Sequence, residues 1–352
     1  MIRVGLVGFG LAGRVFHAPL IASVDGLELA AVVERSTNNA AERYPGITTY
    51  RSIEEMLADA SLGLIVLGTP SGAHFEQARQ ILSAGKNLVV DKPVAATAAE
   101  IAQLSQIAKA HNVLLAPFHN RRWDSDFQTI QKLIHEGSLG RLVSFESNFD
   151  RWRPVPKAGA WREDPAQAGG TLLDLGTHLA DQVLVLFGKP EGITAEVKRE
   201  RDGEGSNDFF LIHLRYPGLT ATLGANCLSA PPRPRYHLRG TKANFLKLGL
   251  DPQEAALSQI AKIIDPKWGQ EPADRWGVLH VDVDGGMVDR PIAPIPGDYR
   301  LYYAGIRDTL LGKQTAPVTA ADAWRTAKVL EWAVQSSAER REILCDWSGE
   351  PN

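Results

Sequence analysis

The 352-residue chain predicts an α/β protein: an N-terminal doubly wound parallel sheet, then a C-terminal α+β domain built on a large, mostly antiparallel open sheet. Three observations carry this. Short runs dense in Val, Leu and Ile alternate with amphipathic segments through the first third, as in a parallel sheet covered by helices on both faces. A Gly-x-Gly-x-x-Gly turn joins the first strand to the first helix. From about residue 142 onward, β-like runs follow one another with short turns between several of them. The length agrees with two domains, because single cores stop growing at about 250–300 residues. The boundary is placed at 1–122 and 123–352, with the last helix free to pack back on the first domain.

Residues 2–7 read as the first strand, 27–33 as the second, 64–67 as a third and 88–90 as a fourth, each nearly continuous in apolar residues. Helices are predicted over roughly 13–23, 52–59, 73–84 and 97–110, the last with Thr97 as its N-cap. The segment Leu115-Ala116-Pro117-Phe118-His119-Asn120-Arg121-Arg122-Trp123-Asp124 is dense in polar and aromatic groups and suits a domain junction better than a core strand. Beyond it, strands are expected near 142–149, 193–200, 208–216, 219–226 and 235–239, with Pro217-Gly218 as a turn. Residues 251–298 carry many Pro, Gly and Asp and read as loop-rich, and 320–343 reads as a helix. By fold-level analogy, one face of the second sheet is left free of helices, so a homo-oligomer, dimer or tetramer, is expected.

Composition narrows the function classes. With 44% hydrophobic and 22% charged residues and a net charge of −3, the chain is globular and gives no electrostatic reason to expect nucleic acid or an anionic membrane as a partner. Its two cysteines, Cys227 and Cys345, have no disulfide-framework or zinc-ligand spacing, and no metal site is expected. The N-terminus lacks the pattern of a signal peptide, and no apolar run approaches the ~20 residues of a membrane span. A cytoplasmic protein acting on a small molecule is the expectation.

Gly8-Phe9-Gly10-Leu11-Ala12-Gly13 follows a strand and opens a helix, the context in which this motif binds a dinucleotide pyrophosphate. Glu34, 21 residues beyond Gly13 at the end of the second strand, is placed to accept hydrogen bonds from the adenosine ribose. Arg35 and Ser36 instead suit a 2′-phosphate. Glu34 argues for NAD and Arg35 for NADP; the reading leans to NAD. Further on, Asp91-Lys92-Pro93 ends the fourth strand, at the edge where open α/β sheets bind ligands. Asp174 and His178 are spaced i, i+4 on a predicted helix, so that a carboxylate and an imidazole face the same way.

On these residues the chain resembles the Gfo/Idh/MocA family, named for glucose–fructose oxidoreductase, inositol dehydrogenase and a rhizopine-catabolism protein. The resemblance covers nearly the whole chain. It rests on the glycine turn, the Thr69-Pro70-Ser71 turn with His74, Asp91-Lys92-Pro93 as a version of the family's Glu-Lys-Pro, and the Asp174-x-x-x-His178 helix. Three longer strings, Phe16-His17-Ala18-Pro19, Phe118 to Asp124 and Gly249-Leu250-Asp251-Pro252-Gln253-Glu254, look most similar to bacterial scyllo-inositol dehydrogenase-like members.

The resemblance implies an NAD(P)-dependent dehydrogenase or reductase acting on CH–OH groups of an inositol, sugar or related polyol. Lys92, Asp174 and His178 would form its reaction centre. His178 is the proposed acid/base, although Lys92 is not excluded as the group that transfers the proton. Thr69, Pro70, Ser71 and His74, with Asp91, would line the cofactor site, and Trp161-Arg162 would close over it, Trp161 fitting a packing role equally well. His119, Asn120, Arg122, Asp150, Arg151 and Trp152 offer contacts suited to a polyol, and also suit structural ion pairs. His17 reads as a core histidine. Two other classes remain: a non-catalytic dinucleotide-binding regulator, and a hydrolase cleaving glycosides with tightly held NAD.

Overall fold

The computed structural model describes residues 1–351. Its first sheet has six parallel strands: β1 (Ile2–Val7), β2 (Leu27–Val33), β3 (Thr48–Tyr50), β4 (Leu64–Leu67), β5 (Leu88–Val90) and β6 (Leu115–Pro117). They lie in the order β3-β2-β1-β4-β5-β6. Strand order therefore reverses between β1 and β4, which opens a crevice at their carboxyl ends, the place where doubly wound sheets take ligands. Gly8, Gly68 and Asp91 are the residues that leave β1, β4 and β5 at that edge.

The four long apolar runs are strands with the bounds expected, but β3 and β6 were not anticipated. β3 is a three-residue edge strand of exposed and half-buried residues. β6 lies in the segment read as a junction. It ends in Pro117, a residue that argues against a strand; here it is tolerated because β6 pairs only with β5 and forms the sheet's edge. The first predicted helix is split into a segment with i→i+5 bonding, Gly13–His17, and a short α-helix, Ala18–Ile21. Thr97 does cap its helix, Ala98–Ala110: its hydroxyl accepts from the Glu100 amide at 3.2 Å, and the Glu100 carboxylate accepts from the Thr97 amide at 3.0 Å.

The second sheet has nine strands: β7 (Leu142–Asn148), β8 (Gly192–Lys198), β9 (Phe209–Tyr216), β10 (Leu219–Asn226), β11 (Tyr236–Gly240), β12 (Ala243–Lys247), β13 (Gly277–Val283), β14 (Gly286–Ile292) and β15 (Ile343–Leu344). Their order is β14-β13-β12-β11-β7-β10-β9-β8-β15. Only β7 and β10 pair in parallel. The region 251–298 is thus less irregular than its composition suggested. β13 and β14 form a hairpin across Asp284-Gly285, both with positive φ, as a tight hairpin turn requires. Most of β14 is exposed, so the apolar alternation that marks a strand is missing.

The C-terminal third covers both sheets. Helix Arg300–Leu310 inserts Tyr302 and Tyr303 into the core on one face of the first sheet, and helix Ala320–Glu339 contributes Ala323 and Trp324 to the core on the other. The same long helix sends Val329 and Leu330 into the core under the second sheet. Glu331 accepts a hydrogen bond from the Ala98 amide at 2.7 Å, tying this helix to the start of Ala98–Ala110. Among the described residues no helix is long and apolar enough to cross a membrane.

Candidate active site

The glycine turn after β1 has the shape a dinucleotide requires. Gly8 has φ +92°, and a Cβ on Gly13 would stand 2.1 Å from the Gly8 carbonyl oxygen, so both glycines hold the turn closed. A Cβ on Gly10 would meet nothing within 4 Å; this glycine leaves an open floor for a ligand's close approach. Gly13→Ala is expected to destabilise the protein by about 1–3 kcal/mol, the range for overpacking a tight contact. A lower denaturant midpoint together with weaker cofactor binding would record this.

That floor belongs to a cavity of about 620 Å³ lined by Gly10, Leu11, Ala12, Gly68 to Ser71 and Asp91 to Pro93 from the first domain. Trp161, Arg162, Ala168 to Gly170 and Asp174 line it from the second. A neighbouring cavity of about 750 Å³ shares Leu11, Ala12, Asp91, Lys92, Arg162 and Asp174 with it, and adds Asn120, Arg121, Arg151 and His178 among others. Lys92 and Asp174 therefore stand between two chambers, and His178 faces only the second.

Lys92 Nζ donates to the Asp174 carboxylate at 2.8 Å and to the Asp174 carbonyl at 2.7 Å. Burial would raise the Asp174 pKa, but Lys92, Arg162 and Arg151 hold it well below the usual carboxylate range. Arg151 and Arg162 lie 3.5 and 3.6 Å from its oxygens. Burial, and then the Lys92, Arg121, His119 and Arg235 side chains, push the His178 pKa well below the ordinary value of 6.5. The imidazole is thus neutral at physiological pH and able to accept a proton. Asp174 and His178 both line the second chamber but share no hydrogen bond or ion pair. An i→i+5 segment, Leu172–Gly176, carries Asp174, whose carboxylate is engaged by Lys92.

Asp91 positions the lysine. Its carboxylate accepts from the Lys92 amide at 2.8 Å and lies 3.8 Å from His17 Nε2, and the other His17 nitrogen is 2.7 Å from the Tyr303 hydroxyl. Burial would raise the Asp91 pKa, but His17 and Lys92 outweigh it and keep the group ionised. His17 is fully buried, and the Lys92–Pro93 peptide is cis.

Two chambers meeting at a lysine, one floored by a dinucleotide-type glycine turn, fit an oxidoreductase, and comparison with known proteins agrees. Residues 2–119 match the oxidoreductase family with NAD-binding Rossmann fold, and residues 127–246 match the GFO/IDH/MocA C-terminal domain. The chain belongs to the Gfo/Idh/MocA family. It is 39% identical over 344 residues to the uncharacterized oxidoreductase YdgJ of Escherichia coli K12, covering 98% of each chain. It is 36% identical over 345 residues to the scyllo-inositol 2-dehydrogenase (NADP(+)) IolW of Bacillus subtilis 168, covering 98% of this chain and 96% of the relative. The solved structure of the oxidoreductase yvaA from Bacillus subtilis superposes with a TM-score of 0.94 at 36% identity over 98% of both chains. This chain is accordingly a NAD(P)-dependent dehydrogenase of the Gfo/Idh/MocA family with a Rossmann-type first domain.

Several residues expected at the site of this Gfo/Idh/MocA dehydrogenase are placed elsewhere. Glu34 is 6% exposed and lines neither chamber. Its carboxylate accepts from the Thr37 hydroxyl at 2.5 Å, the Asn39 amide at 3.2 Å and the Ala40 amide at 2.8 Å, and so serves the start of helix Asn39–Arg43. Phe9 packs edge-on against Tyr44. The His74 ring lies 2.8 Å from the Thr69 carbonyl and 2.7 Å from that of Pro93, joining two loops that line the first chamber. Arg122 makes a two-pronged pair with Asp181 at 2.9 and 2.6 Å, and Asp150 makes one with Arg233 at 2.7 and 2.8 Å. Both are structural ion pairs. Trp152 is 61% exposed and bridges Leu228, whereas His119 is buried with neither ring nitrogen partnered and lines a separate apolar cavity.

Asn120, Arg151 and Arg162 line the second chamber, and Trp161 lines the first. The sequence reading missed Phe16, Phe118, Arg121, Arg153 and Glu254 there. Four of these five lie within the longer strings that carried the resemblance, so a signal was present. Arg121 and Arg122 are neighbours in the short helix Asn120–Trp123 and diverge, one toward the chamber and one toward Asp181.

Proposed function

We propose that this dehydrogenase moves a hydride between NADP and a secondary alcohol or ketone of a polyhydroxylated small molecule, an inositol or sugar. The observation that carries the reading is Lys92, fixed by Asp174 where the two chambers meet. The bound nicotinamide supplies the hydride acceptor or donor. In the oxidative direction the substrate hydroxyl gives its proton to His178 as the C–H hydride departs and the carbonyl forms. Lys92 donates a hydrogen bond to the reacting oxygen and stabilises its developing negative charge. Asp174 keeps the ammonium oriented and accepts from a neighbouring substrate hydroxyl. The inositol class is further supported by the printed activity of IolW, similar over nearly its whole length. An oriented Lys92–Asp174 pair beside a neutral imidazole favours turnover over a purely regulatory role.

NADP replaces the expected NAD because the argument for NAD rested on Glu34, whose carboxylate is already engaged by three donors. Arg35 is exposed and has no side-chain partner among the described residues, which leaves its guanidinium available to a 2′-phosphate. The test is a panel of inositols and aldoses assayed with NADP and NAD separately. We expect kcat/KM to favour NADP. Arg35→Ala should raise the KM for NADP about tenfold, as loss of a charge-assisted hydrogen bond would, with little change for NAD. Equal KM values for NADP in both proteins would contradict the assignment.

A further inference from the structure

The substrate chamber does not end at His178. It continues into a wider cleft of about 1260 Å³, with which it shares Arg121, Arg151, Arg153 and Glu254. Six arginines and three carboxylates line this cleft, and the carboxylates are already occupied. Asp150 holds Arg233, and Glu254 pairs with Arg121. Asp251, only 5% exposed, accepts from the Ser125 and Gln253 amides at 2.7 and 2.8 Å. Arg235 is satisfied by Ser147 and Gln182.

The remaining cations are not compensated in the same way. Arg153 and Arg275 have no side-chain hydrogen bond and no carboxylate partner among the described residues. Arg151 stacks over Phe149 at 4.9 Å and reaches only the already shared Asp174. Burial pulls its pKa down, and the Arg153 and Arg121 charges add to that against the pull of Asp174 and Glu254. In a chain of net charge −3, a concave surface with an excess of cations next to the reaction centre concentrates field on whatever enters. Guanidinium groups recognise oxyanions by paired hydrogen bonds. A neutral inositol offers them nothing comparable.

We propose that this cleft is an anion subsite, and that the substrate is a polyol bearing a carboxylate or phosphate on the part of the molecule remote from the reacting carbon. The proposal rests on the polyol redox reading and narrows it. Arg151 and Arg153, lining both spaces, would hold the anion nearest the reaction centre, with Arg275 on the outer side.

Matched substrates test it: a neutral aldose or inositol, its sugar-acid counterpart and its monophosphate, each assayed with NADP. At least one charged member should exceed the neutral one about tenfold or more in kcat/KM, mainly through KM, with the advantage shrinking as salt rises. The preferred member tells carboxylate from phosphate. Arg153→Ala and Arg275→Ala, which break no side-chain hydrogen bond or ion pair among the described residues, should each lower the charged-to-neutral ratio about tenfold. In parallel, calorimetric titration of NADP-saturated protein with inorganic phosphate and with citrate reads anion binding without turnover, and the double variant should weaken it.

Turnover of neutral polyols with no charged preference and no arginine-dependent anion binding overturns the subsite. Arginine-dependent anion binding without turnover of any polyol supports the subsite and instead removes the polyol reading. Absence of both overturns both.

Discussion

His178→Ala is expected to lower kcat by about 10²–10⁴-fold, the range for losing a positioned general base or acid. The expectation follows from two features found together. His178 lines the substrate chamber but not the cofactor chamber, and its Nδ1 is buried without a partner. Burial and the surrounding cations keep the ring neutral. A base with a lowered pKa is competent above that pKa and is lost as pH falls through it. For alcohol oxidation, the acid limb of kcat/KM should therefore lie below the ordinary histidine value of 6.5, and the alanine variant should lack it. Near wild-type turnover in the variant would remove His178 from the role of base.

Lys92→Ala is expected to lower kcat by about 10²–10³-fold, comparable to removing one donor from an oxyanion site. The ammonium is held by two hydrogen bonds to Asp174 and backed by the Asp91 carboxylate on its own amide. Its position is thus set before substrate arrives. Lys92→Arg should not restore the rate, because a planar fork cannot occupy the place of a compact ammonium between the two chambers. Cofactor titration by fluorescence should yield a Kd within a few-fold of wild type for both variants; a collapse in cofactor affinity would mean that Lys92 serves binding rather than the chemical step.

The parts of this fold legible in sequence are those governed by local pattern. β1, β2, β4 and β5 are continuous apolar runs, the signature of strands buried on both faces. The glycine turn and the Thr97 cap depend on neighbours only a few residues away. Strands β3, β6 and β14 escaped as edge or exposed strands without that pattern, and β12, β13 and the two-residue β15 escaped with them. Lys92, Asp174 and His178 line one chamber, but the Lys92–Asp174 ion pair, made across 82 residues, and the i→i+5 segment Leu172–Gly176 were not legible from their spacing.

Side-chain direction was the least legible property. Glu34 stands at the expected position after β2, yet three donors at Thr37, Asn39 and Ala40 turn it inward. Asp150 is claimed by Arg233, 83 residues away, and Arg122 by Asp181, 59 residues away. No spacing rule reaches those partners. The same long-range pairing leaves Arg153 and Arg275 as the uncompensated charges of the cleft, a property of the folded surface alone.

The most direct test of the central claim follows deuterium from substrate to cofactor. A polyol deuterated at the reacting carbon is incubated with wild-type protein and NADP, and both products are analysed by mass spectrometry. Polyol redox chemistry at the Lys92–His178 centre predicts one deuterium in the reduced nicotinamide for each ketone formed, with both products falling together in His178→Ala. Bound NADP that never acquires deuterium, or a substrate cleaved with no net reduced nicotinamide, would contradict it.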